Sequence, residues 1–246
     1  MKKILTILIS SIVILVGQPT GNELLNKAEN IMDTEYSKAV LIQKIETTSG
    51  KMRTLKYRSY SANNGKKILM RYLEPARVRG NALLMKNNSK DIWMYNSRTR
   101  RVRKLASHAK RRNFEGSDFT YEDMGGGRKW TDEYTAKNKG EGKVRGTPCF
   151  KLVCNPKKNK NPSYSKLIIW LRKSDAYPLK INYYKNGKFL KTLFMQNIQN
   201  IEGILTAQKM VMKNHQEGTR TVMKYDKITY NIKLTKRFFS ERNLKQ

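Results

Sequence analysis

The sequence predicts a mainly β protein in which a single antiparallel sheet curves strongly into a half-open β-barrel. After one short amphipathic stretch, the 246-residue chain consists of short apolar runs separated by Gly, Asn, Ser and charged residues. Turn signals at Asn64-Gly65, Asn186-Gly187 and Glu217-Gly218 fall between neighbouring runs, as hairpins require. About a dozen strands follow one another in this meander, and an open sheet of that size curls or closes.

The first predicted element is a helix over residues 23–32, because Leu24, Ala28 and Ile31 recur at helical spacing. Asn22 precedes it as the expected N-cap. Two series of strands follow, over residues 39–45, 55–60, 68–73, 82–86, 91–95 and 102–105, and then over residues 130–137, 149–154, 164–171, 179–184, 189–196, 205–212 and 219–229.

Some of these strands are apolar on both faces, among them residues 168–171, and such strands need cover on both sides. Short helices on the concave face of the sheet would supply part of this cover and could leave an apolar cavity partly unfilled. The eleven methionines favour an adaptable apolar surface, because methionine tolerates irregular guests. Packing in an ordinary core remains the simpler interpretation for most of these residues.

The N-terminus is typical of a secretory signal. Lys2 and Lys3 precede an apolar run from Ile4 to Val16, which is too short to span a bilayer. We therefore predict a signal peptide over residues 1–21, one domain over residues 22–246, and export to the periplasm. No cysteine follows the apolar run, so the protein is not expected to be lipidated. A buried N-terminal helix is the alternative interpretation.

Two cysteines, Cys149 and Cys154, are predicted to be free thiols. They lie five residues apart in a predicted strand, which places them on opposite faces and roughly 16 Å apart, beyond disulfide reach.

The formal net charge of +32 indicates anionic partners or a tolerance of them. The lysines are scattered over every strand, and no zinc-finger spacing, phosphate loop or basic zipper is present, so nucleic acid is not the expected partner. An anionic membrane surface of the bacterial envelope fits an exported protein better. A compositional bias of the source organism explains the charge equally well.

One segment differs from the rest of the chain. Residues 98–112 carry eight cations and no carboxylate, and residues 114–123 carry four carboxylates and no cation. Ser117 is predicted to cap a short helix that ends at the glycines beginning with Gly125. Its carboxylates would pair with the preceding arginines and fix this insertion on the sheet, which is a structural role.

A succession of motifs in and before this segment resembles the outer-membrane lipoprotein-sorting (LolA-like) family. The motifs are Leu73-Glu74-Pro75 with Gly80, then Ile92-Trp93-Met94-Tyr95, then Arg100-Arg101-Val102, and then Phe114-x-Gly116-Ser117-Asp118-Phe119-x-Tyr121-Glu122-Asp123. The resemblance implies a LolA/LolB-like fold, in which short helices cover the concave side of the curved sheet and an apolar cavity accepts acyl chains. It also implies a periplasmic protein that carries or senses lipids, often beside an envelope exporter.

The residues offer little for catalysis. His108 and His215 stand far apart without a neighbouring ligand pattern, and Ser117 does not lie in a nucleophile elbow. Asp118, Glu122 and Asp123 lack the spacing of a calcium loop. We therefore expect no enzyme, no metal and no cofactor.

The first functional hypothesis is a monomeric carrier of lipid or lipoprotein acyl chains. Seven residues are expected to line its cavity: Met70, Tyr72, Leu84, Trp93, Tyr95, Ile169 and Leu193. Four arginines are expected to attract anionic head groups or a docking partner: Arg98, Arg100, Arg101 and Arg103. The alternative is an interaction module that docks on an exporter or another envelope membrane protein and has no lipid cargo.

Overall fold

The computed structural model describes residues 18–125 and 130–246. Most of the predicted signal peptide, residues 1–17, lies outside the described residues, as do the glycines at positions 126 and 127. In the part that is described, no helix is both long and apolar enough to cross a membrane.

The described chain forms one curved antiparallel sheet of thirteen strands that does not close, accompanied by a few short helices, so the predicted fold class is confirmed. The helices are α1 (Gly21–Asn30), α2 (Tyr121–Met124), α3 (Trp130–Glu133) and α4 (Glu241–Leu244). The strands are β1 (Tyr36–Glu46), β2 (Met52–Ala62), β3 (Lys67–Glu74), β4 (Ala82–Lys86), β5 (Asp91–Asn96), β6 (Arg101–Lys104), β7 (Tyr134–Val144), β8 (Thr147–Pro156), β9 (Lys166–Arg172), β10 (Pro178–Lys185), β11 (Lys188–Ile201), β12 (Ile204–Asn214) and β13 (Arg220–Tyr230).

The strand order determines where the insertion lies. In the middle of the sheet β1 pairs with β13. On one side of this pair the strands follow in the order β1 to β6, and on the other side they follow in the order β13 to β7. The two edge strands, β6 and β7, are therefore consecutive in the sequence. The connection between them, residues 105–133, must travel from one edge of the sheet to the other, and it does so across one face.

That face, called the inner face below, carries the main hydrophobic cluster. Leu25 and Ala28 of α1 and Phe114 and Phe119 of the connection pack there against strand residues such as Tyr57. Leu25, Ala28, Phe114 and Tyr57 are completely buried. Helix α1 and the insertion therefore both cover the inner face.

The outer face of β2 to β5 is covered by the C-terminal segment, residues 231–246. Phe239 and Leu244 pack against Leu69 and Leu84, whereas Met70, the next residue along β3, points to the inner cluster. Arg71 ties this segment down, because its guanidinium donates to the carbonyl oxygens of residues 243, 244 and 246 around the end of α4. Strands β3 and β4 are thus covered on both faces, whereas Ile168 and Trp170 on the second face of β9 are only partly buried.

Each predicted strand is found, and so is the predicted helix, which ends at Asn30 and not at residue 32. Residues 130–133, predicted as the start of a strand, form the helical turn α3 before β7. Helix α1 begins at Gly21 and not at residue 23, because Thr20 and Glu23 form a capping box in which each side chain accepts from the other's backbone N–H. Asn22, the predicted cap, accepts instead from the backbone N–H of Ala136 in β7.

Thr20 and Gly21 are therefore part of the folded unit. A Cβ added at Gly21 would lie 2.5 Å from the carbonyl oxygen of Ala136, so this position requires glycine's small size. We propose that the domain begins at or before Thr20 and not at residue 22.

Replacing Thr20 with alanine is expected to lower the free energy of unfolding by about 1 kcal/mol, because the amide of Glu23 loses its cap. Urea denaturation followed by circular dichroism measures this change. The matched control is Thr99→Ala in the exposed β5–β6 turn, which should leave the unfolding midpoint unchanged. Equal midpoints for the two variants would show that the cap contributes nothing.

Candidate ligand-binding cavity

The insertion is fixed to the inner face through its carboxylates, each of which bonds to a different part of the sheet. Glu115 accepts from the Tyr72 hydroxyl of β3 at 2.8 Å. Asp118 accepts from the Thr221 hydroxyl of β13 at 2.7 Å and also from Thr219. Burial, with Glu115 nearby as the second cause, raises the pKa of Tyr72 well above its usual value, so this phenol remains a neutral donor.

The strongest of these anchors is a buried ion pair. The Lys191 ammonium of β11 lies 2.6 Å from Asp123 of α2, and the two side chains are only 3% and 9% exposed. Lys191 also donates to the backbone carbonyl of Asp118 at 2.8 Å, and the Tyr164 hydroxyl donates to Asp123 at 2.8 Å. The Lys191 ammonium stands 5.3 Å and 5.5 Å from the ring centroids of Tyr164 and Tyr183. Every polar atom of this pair therefore faces a partner.

Glu115, Asp118 and Asp123 bond to the sheet and not to the arginines that precede them. The expected pairing of these three carboxylates with the basic half of the segment is therefore wrong, although their structural role is as predicted. The predicted cap is also wrong: α2 begins after Thr120, whose side chain forms a capping box with Asp123. Ser117 instead has extended backbone angles. The backbone N–H of the next residue, Asp118, donates to the Thr221 hydroxyl of β13.

A cavity of about 320 Å³ lies between the insertion and the sheet. Phe119 and Met124 of the insertion form one wall, and residues of β1, β2, β3, β11, β12 and β13 and of the α1–β1, β2–β3 and β9–β10 connections form the rest. Six of its lining residues are methionines: Met32, Met70, Met124, Met195, Met210 and Met223. More than half of the chain's methionines thus surround one cavity, and their flexible thioethers suit an irregular apolar guest.

One end of the cavity is polar. Ser37, Ser59 and Ser61 line it, and Ser37 stands opposite Ser61 on the one side and Tyr230 on the other in the strand register. These serines lie on the same face of β1 and β2 as the buried Leu41 and Tyr57, so they point inward. The cavity therefore has an apolar body and a hydroxyl-lined end.

The polar end coincides with a gap in the sheet. Strands β12 and β13 pair only from Lys209↔Lys224 to Lys213↔Arg220, and beyond this point they separate. One side-chain contact bridges the gap, because the Tyr230 and Thr206 hydroxyls lie 2.6 Å apart. On the β12 side, the Tyr177 hydroxyl from the β9–β10 connection accepts from the backbone N–H of Ala207 at 3.0 Å. Residues on both sides of the gap line the cavity.

The predicted lining residues divide between the two faces of the sheet. Met70 lines the cavity. Tyr72, Ile169 and Leu193 lie in the inner cluster but are packed in the core away from the cavity wall. The remaining three belong to the cluster beneath the C-terminal segment on the outer face: Leu84, Trp93 and Tyr95.

The four arginines lie apart from the cavity. Arg98 and Arg100 are in the β5–β6 turn, Arg101 and Arg103 are on the edge strand β6, and all four are exposed. Cys149 and Cys154 are buried free thiols in separate clusters, as the strand geometry predicted. Over residues 18–125 and 130–246, no three His, Cys, Asp or Glu side chains are arranged to hold a metal ion.

The open curved antiparallel sheet with its few short helices is a LolA-like fold. A family model described as an uncharacterized protein matches residues 64–246, so the chain belongs to that family. A DUF1329 family protein from Desulfovibrio piger is 28% identical, with a TM-score of 0.82 over 91% of this chain and 97% of its own. A domain described as outer membrane lipoprotein-sorting, from Vibrio parahaemolyticus, is 26% identical, with a TM-score of 0.82 over 92% of this chain and 98% of its own.

A LolA superfamily protein from Nitrosomonas europaea shares the fold at 20% identity, with a TM-score of 0.75 over 92% of this chain and 100% of its own. Comparison with curated proteins gives no match. The resemblance to the lipoprotein-sorting family is confirmed by these structures.

Replacing Lys191 with methionine is expected to lower the free energy of unfolding by about 3 kcal/mol or more, because the Asp123 carboxylate stays buried without its cation. Thermal and urea denaturation measure the loss. The matched control is Lys173→Met, which removes the cation of the exposed Lys173–Glu141 pair and should cost no more than about 1 kcal/mol. Similar losses for the two variants would contradict a special role for the buried pair.

Proposed function

We propose that this protein is a non-enzymatic periplasmic carrier or sensor that holds a lipid acyl chain in the cavity beneath the insertion. The observation that carries the proposal is the concentration of six methionines around one cavity on the inner face. The lipoprotein-sorting description of a relative with the same fold supports it. The volume of about 320 Å³ lies at the lower end of the range of small-molecule sites, which suits one slender apolar group.

Burial of methylene groups would provide the affinity for an acyl chain. Each methylene that leaves water for an apolar site contributes about 0.8 kcal/mol. A chain that threads between Met124 on the insertion and Met210 and Met223 on the sheet would therefore gain affinity with every carbon it buries. The buried ion pair of Lys191 and Asp123 holds the insertion in place, so the wall facing the chain is fixed before the lipid arrives.

Two measurements test the carrier function. Native mass spectrometry of protein purified from an envelope-containing host should show a bound species with the mass of an acyl lipid. A neutral fluorescent acyl probe should bind to the delipidated protein with saturation. If neither a copurified lipid nor probe uptake is found, the cavity is not a lipid site, and the alternative of a docking module without cargo replaces this proposal.

Replacing Met210 with tryptophan should weaken binding of the acyl probe at least about tenfold, since an indole ring in the cavity displaces roughly two methylenes. Fluorescence titration gives the dissociation constant, and circular dichroism verifies the fold. The matched control is Met52→Trp, because Met52 is 58% exposed and lies outside the cavity. Unchanged affinity in the Met210 variant would place the lipid elsewhere.

We further propose that the arginines of the β5–β6 hairpin dock the carrier on an anionic membrane surface. They do not line the cavity, which supports a docking role over direct contact with a bound head group. All four side chains are exposed, and β6 is the last strand at its edge of the sheet. Two exposed guanidinium groups on the four-residue strand β6 and two more in the turn before it give a dense local charge.

Reversing the charge of Arg101 and Arg103 with glutamate should weaken binding to vesicles that contain an anionic phospholipid by at least about tenfold at low salt. Vesicle sedimentation measures the binding, and added salt should reduce it for the native protein. The matched control reverses Lys158 and Lys160, which changes the net charge equally on the exposed β8–β9 loop. If the two double variants lose binding to the same extent, only the overall charge matters and the docking surface is refuted.

A further inference from the structure

The polar end of the cavity contains two phenolic protons that no described residue accepts. Thr206 donates its own proton to the carbonyl oxygen of Ile204 at 3.1 Å, so in the 2.6 Å contact with Tyr230 it is Tyr230 that donates. Tyr230 is therefore satisfied. Tyr177 accepts from Ala207, which leaves its own proton free, and the Tyr225 hydroxyl makes no hydrogen bond within residues 18–125 and 130–246.

Both hydroxyls can donate to a ligand in the cavity, and Tyr177 is shielded from the bulk solvent. Tyr177 is only 3% exposed and Tyr225 is half-buried, and both line the cavity. A buried donor without an acceptor costs free energy, so a structure that retains one at the wall of a cavity has a place for an acceptor. Tyr225 follows Lys224, the last β13 residue that pairs with β12, so it lies where the two strands separate.

The chemistry of the end favours an uncharged acceptor. Burial raises the pKa of Tyr177 to about 12, and burial with the neighbouring Tyr230 and Tyr177 raises the pKa of Tyr225. Both phenols therefore stay neutral donors at physiological pH. No Lys, Arg or His of the described residues lines the cavity, so a ligand carboxylate would be buried there without a cation.

We propose that Tyr177 and Tyr225 donate hydrogen bonds to the carbonyl oxygen of an acyl ester, whose hydrocarbon chain lies along the methionines. Ser37, Ser59 and Ser61 line the same end and surround the remaining ester and alcohol oxygens. The inference rests on the proposed carrier function and adds the class of head group: a neutral acyl ester, in preference to a free fatty acid.

Three ligands with the same hydrocarbon length separate these possibilities. Monopalmitoylglycerol carries the ester, palmitate carries a carboxylate, and hexadecane carries neither. Each is titrated against the delipidated protein by displacement of a neutral hydrocarbon probe, diphenylhexatriene. The ester is expected to bind at least about tenfold more tightly than palmitate at neutral pH, because palmitate must bury its charge. Hexadecane should also bind more weakly than the ester.

Tyr225→Phe is the cleaner variant, because it removes a hydroxyl that makes no hydrogen bond to the described protein. It should weaken binding of monopalmitoylglycerol about three- to tenfold and leave diphenylhexatriene binding unchanged. Tyr177→Phe should do the same but also leaves the Ala207 N–H without its acceptor, so its thermal stability is recorded in parallel. Tyr60→Phe on the outer face, in the cluster beneath the C-terminal segment, is the matched control.

The outcomes are distinct. If Tyr225→Phe weakens the binding of monopalmitoylglycerol and leaves the binding of diphenylhexatriene unchanged, the assignment is supported. The assignment is overturned, while the carrier function stands, by any of three results: the Tyr225 variant loses affinity for the ester and the hydrocarbon equally, it loses affinity for neither, or the native protein binds palmitate more tightly than the ester. Failure of every ligand and of the probe to bind the native protein refutes the carrier function and this inference together.

Discussion

The position of the insertion follows from one topological constraint. The consecutive strands β6 and β7 lie at opposite edges of an open thirteen-stranded sheet, so the chain between them must cross a face of that sheet. A connection that crosses a sheet becomes buried, and its backbone and carboxylates then need partners beneath them. Tyr72, Thr221 and Lys191 supply these partners from three separate strands. The same connection forms one wall of the cavity, so the candidate site exists because the chain links the two edge strands across this face of the sheet.

The buried ion pair and the methionine-rich cavity differ in rigidity, and the two properties complement each other. Lys191 and Asp123 lock the insertion at a defined height above the sheet, and their interaction is directional and sensitive to desolvation. The side chains beside them are soft and adapt to a guest. The insertion is held in one position while the side chains that face the ligand can adjust. Such a cavity can bind ligands of somewhat different shape without a change in the fold, which fits a carrier better than an enzyme with one fixed substrate geometry.

The sequence predicted much of the fold, because alternation, Asn-Gly turns and the motifs around Phe114 to Asp123 are local signals. It predicted the cavity residues poorly for two physical reasons. Period-two alternation identifies two faces but not which one is inward, so Leu84, Trp93 and Tyr95 were assigned to the cavity although residues 231–246 cover them. A bulge in β13, seen where Val40 faces Lys227 and Leu41 faces Tyr225, shifts the pattern by one residue. Tyr225 and Tyr230 thereby face the same cavity despite their odd spacing.

The C-terminal segment has a consequence for the order in which the molecule assembles. The outer face of β2 to β5 is sealed by residues 231–246, and β1 finds its second neighbour only in β13. An N-terminal half that emerges first into the aqueous compartment therefore presents an uncovered apolar face and an unpaired strand edge until nearly the whole chain has followed. Such surfaces attract other chains. The sheet and its outer cover can therefore be completed only after β13 and residues 231–246 have been synthesised.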